Sequence, residues 1–312
     1  MDIRALQYFL AVAREESISR AAEFLHMTQP PLSRQLKELE EELGKQLFIR
    51  GSRKVTLTED GMILRRRAEE IVELMEKTRQ EMSASNSEIC GDISIGGGET
   101  DGFRLIAKTA ESVRAKYPGI HYHLFSGNAE DVSERLDRGL LDFGILIEPA
   151  DVRKYDFIKL PAKDRWGLWM RKDHPLARKA SIVPRDLQDV PLLVSRQSLA
   201  HNELSGWLGK PYESLNIVAT YNLIYNATLM VEENVGCALS LDRLRPEYAG
   251  SSICFRPLEP QIEVGMEIVW KKYRVFTKAA TLFLEALQKE IARKSEAHNN
   301  APVTGEIAGA GK

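Results

Sequence analysis

Residues 28–44 read TQPPLSRQLKELEEELG, and this stretch decides the fold of the N-terminal part of the chain. Pro30 and Pro31 suit the first turn of a helix, where a missing backbone N–H breaks no intrahelical hydrogen bond. Thr28 is a suitable N-cap before them, and Gly44 suits the left-handed conformation that ends many helices. Leucines recur at helical spacing and predict one apolar face. That face consists of Leu32, Leu36, Leu39 and Leu43.

Two shorter helices are predicted before this one. Ser17 or Ser19 can cap the second, and the turn to the third is short. The apolar positions are Leu6, Phe9, Leu10 and Ala13 in the first helix and Ala21, Ala22 and Leu25 in the second. Three helices with a tight turn between the last two form a helix-turn-helix, which presents its third helix to the DNA major groove.

The third helix carries polar residues on the face opposite its leucines. They are Gln29, Pro30, Ser33, Arg34 and Lys37. Amide and guanidinium groups suit base edges, whereas hydroxyl and ammonium groups suit the DNA backbone. The acidic run of Glu38 and residues 40–42 would be repelled by phosphate, so we expect the N-terminal end of the helix to enter the groove. An ordinary solvated face remains the alternative.

A small hairpin is predicted at residues 47–57, around Gly51 and Ser52. Its basic residues Arg50, Arg53 and Lys54 would form a wing beside the third helix, suited to the adjacent backbone or minor groove. The whole chain has a net charge of −2, so bulk charge does not indicate nucleic-acid binding. Residues 43–67 nevertheless hold seven basic and two acidic residues. We therefore predict a DNA-binding domain at residues 1–57.

A long helix is predicted for residues 58–88, and it would be about 46 Å long. Apolar or small residues recur along it with heptad spacing. They are Leu64, Ala68, Ile71, Met75, Thr78 and Met82. A single stripe of this length must be buried, and pairing with a second copy is the simplest solution. Packing against a later part of the same chain is the alternative.

Strands and helices alternate in the remainder of the chain, which predicts two sheet units side by side. We assign residues 89–162 and 266–295 to the first lobe and residues 163–265 to the second, with a ligand cleft between them. Residues 296–312 show no periodicity and are expected to be disordered. The overall fold class is α + α/β.

Several functional classes are disfavoured by what the sequence does not contain. There is no apolar run of about 18 residues and no secretory signal pattern, so a cytoplasmic protein is expected. Cys90, Cys237 and Cys254 lack metal-type or redox-type spacing, which disfavours peroxide sensing. His121 and His123 could hold a metal with a third ligand, but a surface pair is the simpler interpretation. Catalytic motifs are absent, and we expect neither an enzyme nor a bound cofactor.

The sequence resembles the LysR-type transcriptional regulators. The resemblance over residues 6–64 rests on Ala21-Ala22, Gln29-Pro30, Leu32-Ser33, Leu43-Gly44, Leu47-Phe48 and Thr56-Leu57-Thr58. Weaker matches continue to about residue 293, including Tyr117-Pro118-Gly119, Gly139 to Asp142 and Asp173 to Leu176. The resemblance implies a winged helix-turn-helix, a dimerising linker helix and a two-lobed effector domain similar to periplasmic binding proteins. It also implies a homodimer or homotetramer that binds dyad-symmetric promoter DNA and responds to a small molecule.

The resemblance further implies a set of effector-binding residues: Thr100, Ser126, Asn128, Ser195, Arg196 and Asn222. Gly98 and Leu223 stand where the family often has serine, so the usual hydroxyl cluster is incomplete. A small carboxylate is one candidate effector, because Arg196 favours an anion, whereas Glu99 opposes one. Two other functions remain open: a binding or transport protein that uses only the lobes, and an enzyme that uses the cleft.

Overall fold

The computed structural model describes residues 1–51, 54–83, 89–200, 204–244 and 251–299 of the chain. Two compact units are present, Met1–Ser83 and Ala84–Lys312. The predicted wing residue Arg53, the end of the predicted linker helix at residues 84–88 and the tail from residue 300 lie outside the described residues.

The N-terminal unit contains three helices, a hairpin and a long fourth helix. Its elements are α1 (Ile3–Glu15), α2 (Ile18–Phe24), α3 (Gln29–Leu43), β1 (Phe48–Arg50), β2 (Val55–Leu57) and α4 (Glu59–Ser83). Of the two candidate caps for α2, Ser17 accepts the backbone N–H of Arg20. Thr28 occupies the N-cap position of α3 in an extended conformation, but its side chain makes no capping hydrogen bond.

The core of this unit forms where the three short helices meet the hairpin. Leu32, Leu36 and Leu39 are fully buried, and the Phe9 ring lies 5.1 Å from the Phe48 ring between centroids. The prediction for Leu43 is wrong, because this side chain is 38% exposed. Leu43 is the last residue of α3, one turn beyond Leu39, and the chain turns away directly after it.

The C-terminal unit contains two sheets, and its strands alternate with helices. The strands are β3 (Gly91–Gly97), β4 (Ile120–Ser126), β5 (Phe143–Ile147), β6 (Tyr155–Lys159), β7 (Asp164–Arg171), β8 (Leu192–Ser195), β9 (Ile217–Tyr221), β10 (Cys237–Leu241), β11 (Ile253–Pro257), β12 (Glu263–Val264) and β13 (Met266–Lys271). The helices are α5 (Phe103–Lys116), α6 (Ala129–Asp137), α7 (Arg196–Ala200), α8 (Ser205–Leu208), α9 (Ile224–Glu232) and α10 (Lys278–Asn299). Short 3₁₀ turns occupy Pro175–Arg178, Pro184–Leu187 and Tyr212–Ser214.

The two sheets define two lobes. In the described residues, lobe I has the strand order β4-β3-β5-β13-β6, and lobe II has the order β11-β7-β10-β8-β9 with β12 beside β7. The chain enters lobe II at β7 and returns to lobe I at β13. Both of these strands pair antiparallel with their neighbours, so the sheets are mixed rather than wholly parallel as predicted. Each sheet buries its own apolar core.

The last helix corrects the predicted start of the C-terminal tail. Helix α10 runs to Asn299, whereas the sequence analysis places the disordered tail from residue 296. Its apolar residues Ala280, Phe283 and Leu287 are buried in the core of lobe I. This packing fixes the helix, and residues 296–299 continue it.

Candidate nucleic-acid interface and effector cleft

The polar face of α3 is exposed, as the pattern of its leucines predicts. Gln29, Pro30, Arg34 and Lys37 are exposed and Ser33 is half-buried. The Arg34 side chain is 80% exposed and that of Lys37 is 72% exposed. The leucines are buried in the core of the unit, whereas on this face the Gln29 side-chain oxygen accepts a hydrogen bond from the Ser19 hydroxyl of α2 at 3.1 Å.

Both cations of this face are paired with acids one turn further along α3. Arg34 Nε lies 2.8 Å from Glu38 Oε1, and Lys37 Nζ lies 3.3 Å from Glu41 Oε1. Exposed pairs of this kind contribute about 0.3–0.5 kcal/mol. That contribution is small, so a DNA phosphate or base can replace the acid. The two acids orient the cations and leave them available to bind DNA.

Glu40 has a different role from the other acids of α3. Its Oε1 accepts the backbone N–H groups of Leu47, at 2.7 Å, and Phe48, at 3.1 Å. Arg50 of the wing lies 4.0 Å from its other oxygen. Glu40 therefore joins the recognition helix to the start of the wing. In the sequence, Glu40 is recognisable only as part of an acidic run.

The wing is an antiparallel hairpin in which Phe48 pairs with Leu57. Arg50 and Lys54 are exposed on it, and Lys54 Nζ lies 3.3 Å from Glu16. The backbone N–H of Val55 donates to the Glu16 carbonyl at the end of α1. These contacts fix the position of the hairpin beside the helices.

The heptad stripe of the long helix α4 is buried or half-buried in its first part and mostly exposed in its second. Ala68 is fully buried and Leu64 is partly buried in the core of the N-terminal unit, so these two predicted dimerisation residues pack within their own chain. Helix α4 follows directly from the wing and packs against α1, which explains this burial. Further along the stripe Ile71, Thr78 and Met82 are exposed and Met75 is half-buried.

A cavity of about 90 Å³ lies between the two lobes, and we call it the inner cavity. Three of the six predicted effector-binding residues line it: Asn128 from lobe I, and Ser195 and Asn222 from lobe II. Asn128 also caps α6 by accepting the backbone N–H of Asp131 at 2.9 Å. Glu99, Trp166 and Gln197 are further lining residues.

Two reciprocal hydrogen bonds cross the inner cavity. Glu99 of lobe I accepts the backbone N–H of Ile224, at the first turn of α9 in lobe II, at 2.5 Å. Gln197 of lobe II accepts the backbone N–H of Ala129, at the first turn of α6 in lobe I, at 3.1 Å. Each lobe thus supplies an oxygen to a helix N-terminus of the other lobe, where backbone N–H groups lack intrahelical partners. The sequence analysis did not identify Gln197.

The other three predicted residues lie away from the inner cavity. Arg196 is exposed and lines an adjoining cavity of about 610 Å³, the outer cavity, which shares Asn128 and Asn222 with the inner one. Thr100 and Ser126 line a third cavity of about 500 Å³. The sequence cannot separate these sites, because all six residues follow strands whose ends converge on the region between the lobes.

Thr100 is buried and belongs to a polar cluster beside the passage between the lobes. Its hydroxyl donates to Asp164 Oδ2 at 2.5 Å and accepts the backbone N–H of Gly102 at 3.0 Å. Burial raises the pKa of the Asp164 carboxyl, although the Thr100 hydroxyl and the nearby Arg243 guanidinium favour its charged form. Arg243 also lies 3.7 Å from Asp101 and 3.5 Å from Asp242. This cluster connects lobe I to the start of β7.

The other candidate groups are cysteines and histidines. Cys237 and Cys254 are buried, and burial raises the pKa of the Cys237 thiol to about 12. His123 lies 2.8 Å from Asp92 on the surface, and the described residues contain no group of three or more potential metal ligands. In the same part of the chain, no helix combines the length and hydropathy that crossing a membrane requires.

A winged helix-turn-helix unit combined with a two-lobed unit that encloses a cavity defines a regulator that couples DNA binding to a small ligand. Comparisons with known proteins agree with this class. Residues 3–62 match the model of the bacterial regulatory helix-turn-helix protein, lysR family, and residues 86–292 match the LysR substrate binding domain. The chain belongs to the LysR family of transcriptional regulators.

Individual relatives are moderately similar. YvbU of Bacillus subtilis, an uncharacterised HTH-type transcriptional regulator, is 28% identical over 93% of this chain and 99% of its own. The hydrogen peroxide-inducible genes activator of Dickeya chrysanthemi is 32% identical over 62% of this chain and 63% of its own. The crystal structure of the LysR-family regulator CbnR shares the fold, with a TM-score of 0.73 at 20% identity, covering 93% of this chain and 99% of CbnR. The predicted family and fold class are confirmed.

Proposed function

We propose that this chain binds dyad-symmetric promoter DNA by inserting the N-terminal half of α3 into the major groove. The exposed Arg34, on the face opposite the buried leucines, is the observation that carries this proposal. Gln29, Pro30, Ser33 and Lys37 complete the reading face, and the exposed wing residues Arg50 and Lys54, together with Arg53, contact the backbone. CbnR, which has the same fold, has been crystallised with its target DNA.

The same proposal requires a dimer, because a palindromic site needs two recognition helices. The exposed stripe in the second half of α4 suits this role. Ile71 is 39% exposed and Met82 is 80% exposed, and Met75 and Thr78 lie between them. Ala68 is excluded from this interface because its own chain buries it, whereas Leu64 is only half-buried in the core of its own unit. Pairs of such dimers would form a homotetramer.

The inner cavity is the proposed effector site, with Asn128, Ser195 and Asn222 as binding residues. Residues of both lobes line it, so a ligand there can change their relative arrangement. A ligand shifts such an equilibrium only through different affinities for the two arrangements. We propose that the chain is a regulator and not an enzyme, in agreement with its relatives, and that it acts on promoter DNA in the cytoplasm.

Substitution of Arg34 by Ala tests the reading helix. If its guanidinium contacts a base, specific binding weakens by about 1–3 kcal/mol, or about 5- to 150-fold, while binding to random DNA changes much less. Fluorescence anisotropy with a fragment upstream of the chain's own gene and with a random fragment measures both affinities. Arg79→Ala, which removes another exposed, acid-paired arginine from α4, is the control. Equal losses on both fragments for Arg34→Ala would refute the assignment.

A further inference from the structure

We propose that the inner cavity selects a small organic cation, such as an amine, and that Glu99 binds its ammonium group. This inference rests on the proposed role of the inner cavity as the effector site. It replaces the small carboxylate considered from the sequence, because the structure separates the two charged residues on which that choice depended.

The charges lining the inner cavity favour a cation. Glu99 carries a formal charge, and the other described lining residues are neutral, the polar ones being amides, serines and Tyr221. Arg196, the residue that favoured an anion, lines the outer cavity instead. A ligand in the inner cavity therefore meets one carboxylate and, within the described lining, no cationic side chain.

The charges lining the outer cavity also favour a cation. Among its described lining residues, Glu130, Asp131 and Asp151 face a single cation, Arg196. Asp151 is paired with Arg153, which leaves two acids against one base. Low-dielectric walls of one sign concentrate oppositely charged ligands near a cleft. A cation that approaches through the outer cavity is attracted, whereas an anion is not.

At the N-termini of α6 and α9, which could otherwise bind a carboxylate, side-chain oxygens of the chain are already bound. Glu99 accepts the N–H of Ile224 in α9, Gln197 accepts that of Ala129 in α6, and Asn128 caps α6 as well. An entering carboxylate would have to displace Glu99 from α9 and remain beside it. Two neighbouring carboxylates disfavour each other's charged form. The chain thus supplies its own anion at the position where an anionic effector would bind.

Glu99 remains able to accept from a ligand. Its Oε2 accepts the Ile224 N–H, and the described residues offer its Oε1 no donor within hydrogen-bond distance. Leu146, Ile147 and Trp166 supply an apolar wall for the carbon skeleton. A volume of about 90 Å³ is smaller than the cavity of about 150 Å³ that holds benzene in an engineered protein, so this state fits a small amine.

The test uses the full chain labelled with 5-fluorotryptophan, so that the ¹⁹F resonance of Trp166 reports on the cavity; Trp166→Phe assigns that resonance. Propylammonium is the probe, and propionate and 1-propanol are the anionic and neutral probes of similar size, each titrated to 100 mM at constant ionic strength. We expect a saturable shift with propylammonium at a Kd at least tenfold below that of 1-propanol, and no saturable shift with propionate.

Glu99→Gln is the decisive variant, because glutamine retains an oxygen that can accept the Ile224 N–H and removes only the charge. We expect it to raise the Kd for propylammonium at least tenfold. Glu111→Gln, which removes a carboxylate from the exposed face of α5, should leave that Kd unchanged. The proposal is overturned if propionate binds the native chain as tightly as propylammonium, if Glu99→Gln binds propylammonium equally well, or if propylammonium produces no saturable shift.

DNA binding measured by anisotropy on the same samples separates this inference from the proposed function. Saturation by propionate in place of propylammonium would overturn the ligand class and leave the cavity as the effector site. If the native chain shows no preference for specific over random DNA, the proposed function is contradicted instead.

Discussion

Removal of the Glu40 carboxylate should detach the wing from the recognition helix. Glu40 Oε1 accepts two backbone N–H groups, those of Leu47 at 2.7 Å and Phe48 at 3.1 Å. A hydrogen bond to a charged group contributes about 1.5–3 kcal/mol, and a buried donor left without a partner costs about the same. The Glu40 side chain is only 17% exposed, so water replaces it incompletely. We therefore expect Glu40→Ala to lower the local stability of the wing by about 2–4 kcal/mol.

Amide hydrogen exchange on the full chain measures this change directly. A loss of about 2–4 kcal/mol corresponds to exchange at Leu47 and Phe48 that is about 30 to 1000 times faster, provided that these amides exchange by local opening. Glu40→Gln should show a smaller effect, because neutral hydrogen bonds are about half as strong as charge-assisted ones. Glu41→Gln is the control, since Glu41 makes an exposed pair with Lys37. Unchanged protection in Glu40→Ala, or equal acceleration in Glu41→Gln, would refute the role assigned to Glu40.

Three further predictions concern the linker helix, the polar cluster and the cysteines. Ile71→Glu places two like charges at the proposed α4 interface, so sedimentation should show a shift towards monomers and specific DNA binding should fall at least tenfold; an unchanged oligomer would exclude that interface. Because burial raises the folded-state pKa of Asp164, its contribution to stability is present below its unfolded pKa and is lost as the pH rises through the folded pKa. Asp164→Asn should therefore flatten the dependence of Tm on pH above about pH 4, where an unfolded Asp begins to ionise, and an unchanged slope would contradict this. The Cys237 thiol, with a pKa of about 12, should resist millimolar hydrogen peroxide in the native chain; rapid sulfenic acid formation detected by mass spectrometry would contradict this.

The recognition helix could be predicted from sequence because all of its determinants are local. The prolines of the first turn, the leucine spacing and the terminal glycine each act within a few residues, and α3 spans Gln29–Leu43 as expected. The sequence does not predict strand β6, because it is short and has no clear alternation: Tyr155 is buried, whereas Phe157 is 43% exposed. Strand β11 is not predicted either, and it is defined by its antiparallel pairing with the distant β7.

The effector residues were predicted less well for a related reason. Sequence patterns place polar residues after strands, but they do not show which of those residues face the same cavity. Thr100 follows Glu99 directly, yet its hydroxyl donates to Asp164, whereas Glu99 accepts a backbone N–H from α9. Long-range contacts decide such roles, and the sequence separation of 125 between Glu99 and Ile224 puts this contact beyond local pattern analysis.

This adjacency suggests how a ligand could act on the lobes. The loop between β3 and α5 carries Glu99, which holds α9 of lobe II, and Thr100, which holds Asp164 where β7 begins. A ligand that binds Glu99 therefore acts on the loop between β3 and α5, which also contacts the strand where the chain enters lobe II. Gly102 of this loop packs closely against the Met266 side chain at the returning strand, because an added Cβ would lie 1.8 Å from its sulfur. Glu99→Gln should therefore weaken any effect of the amine on DNA affinity. The affinity of the ligand-free chain for specific DNA should stay within about twofold of the native value. A larger change without ligand would contradict this, because it would mean that the Glu99 charge sets the arrangement of the ligand-free lobes.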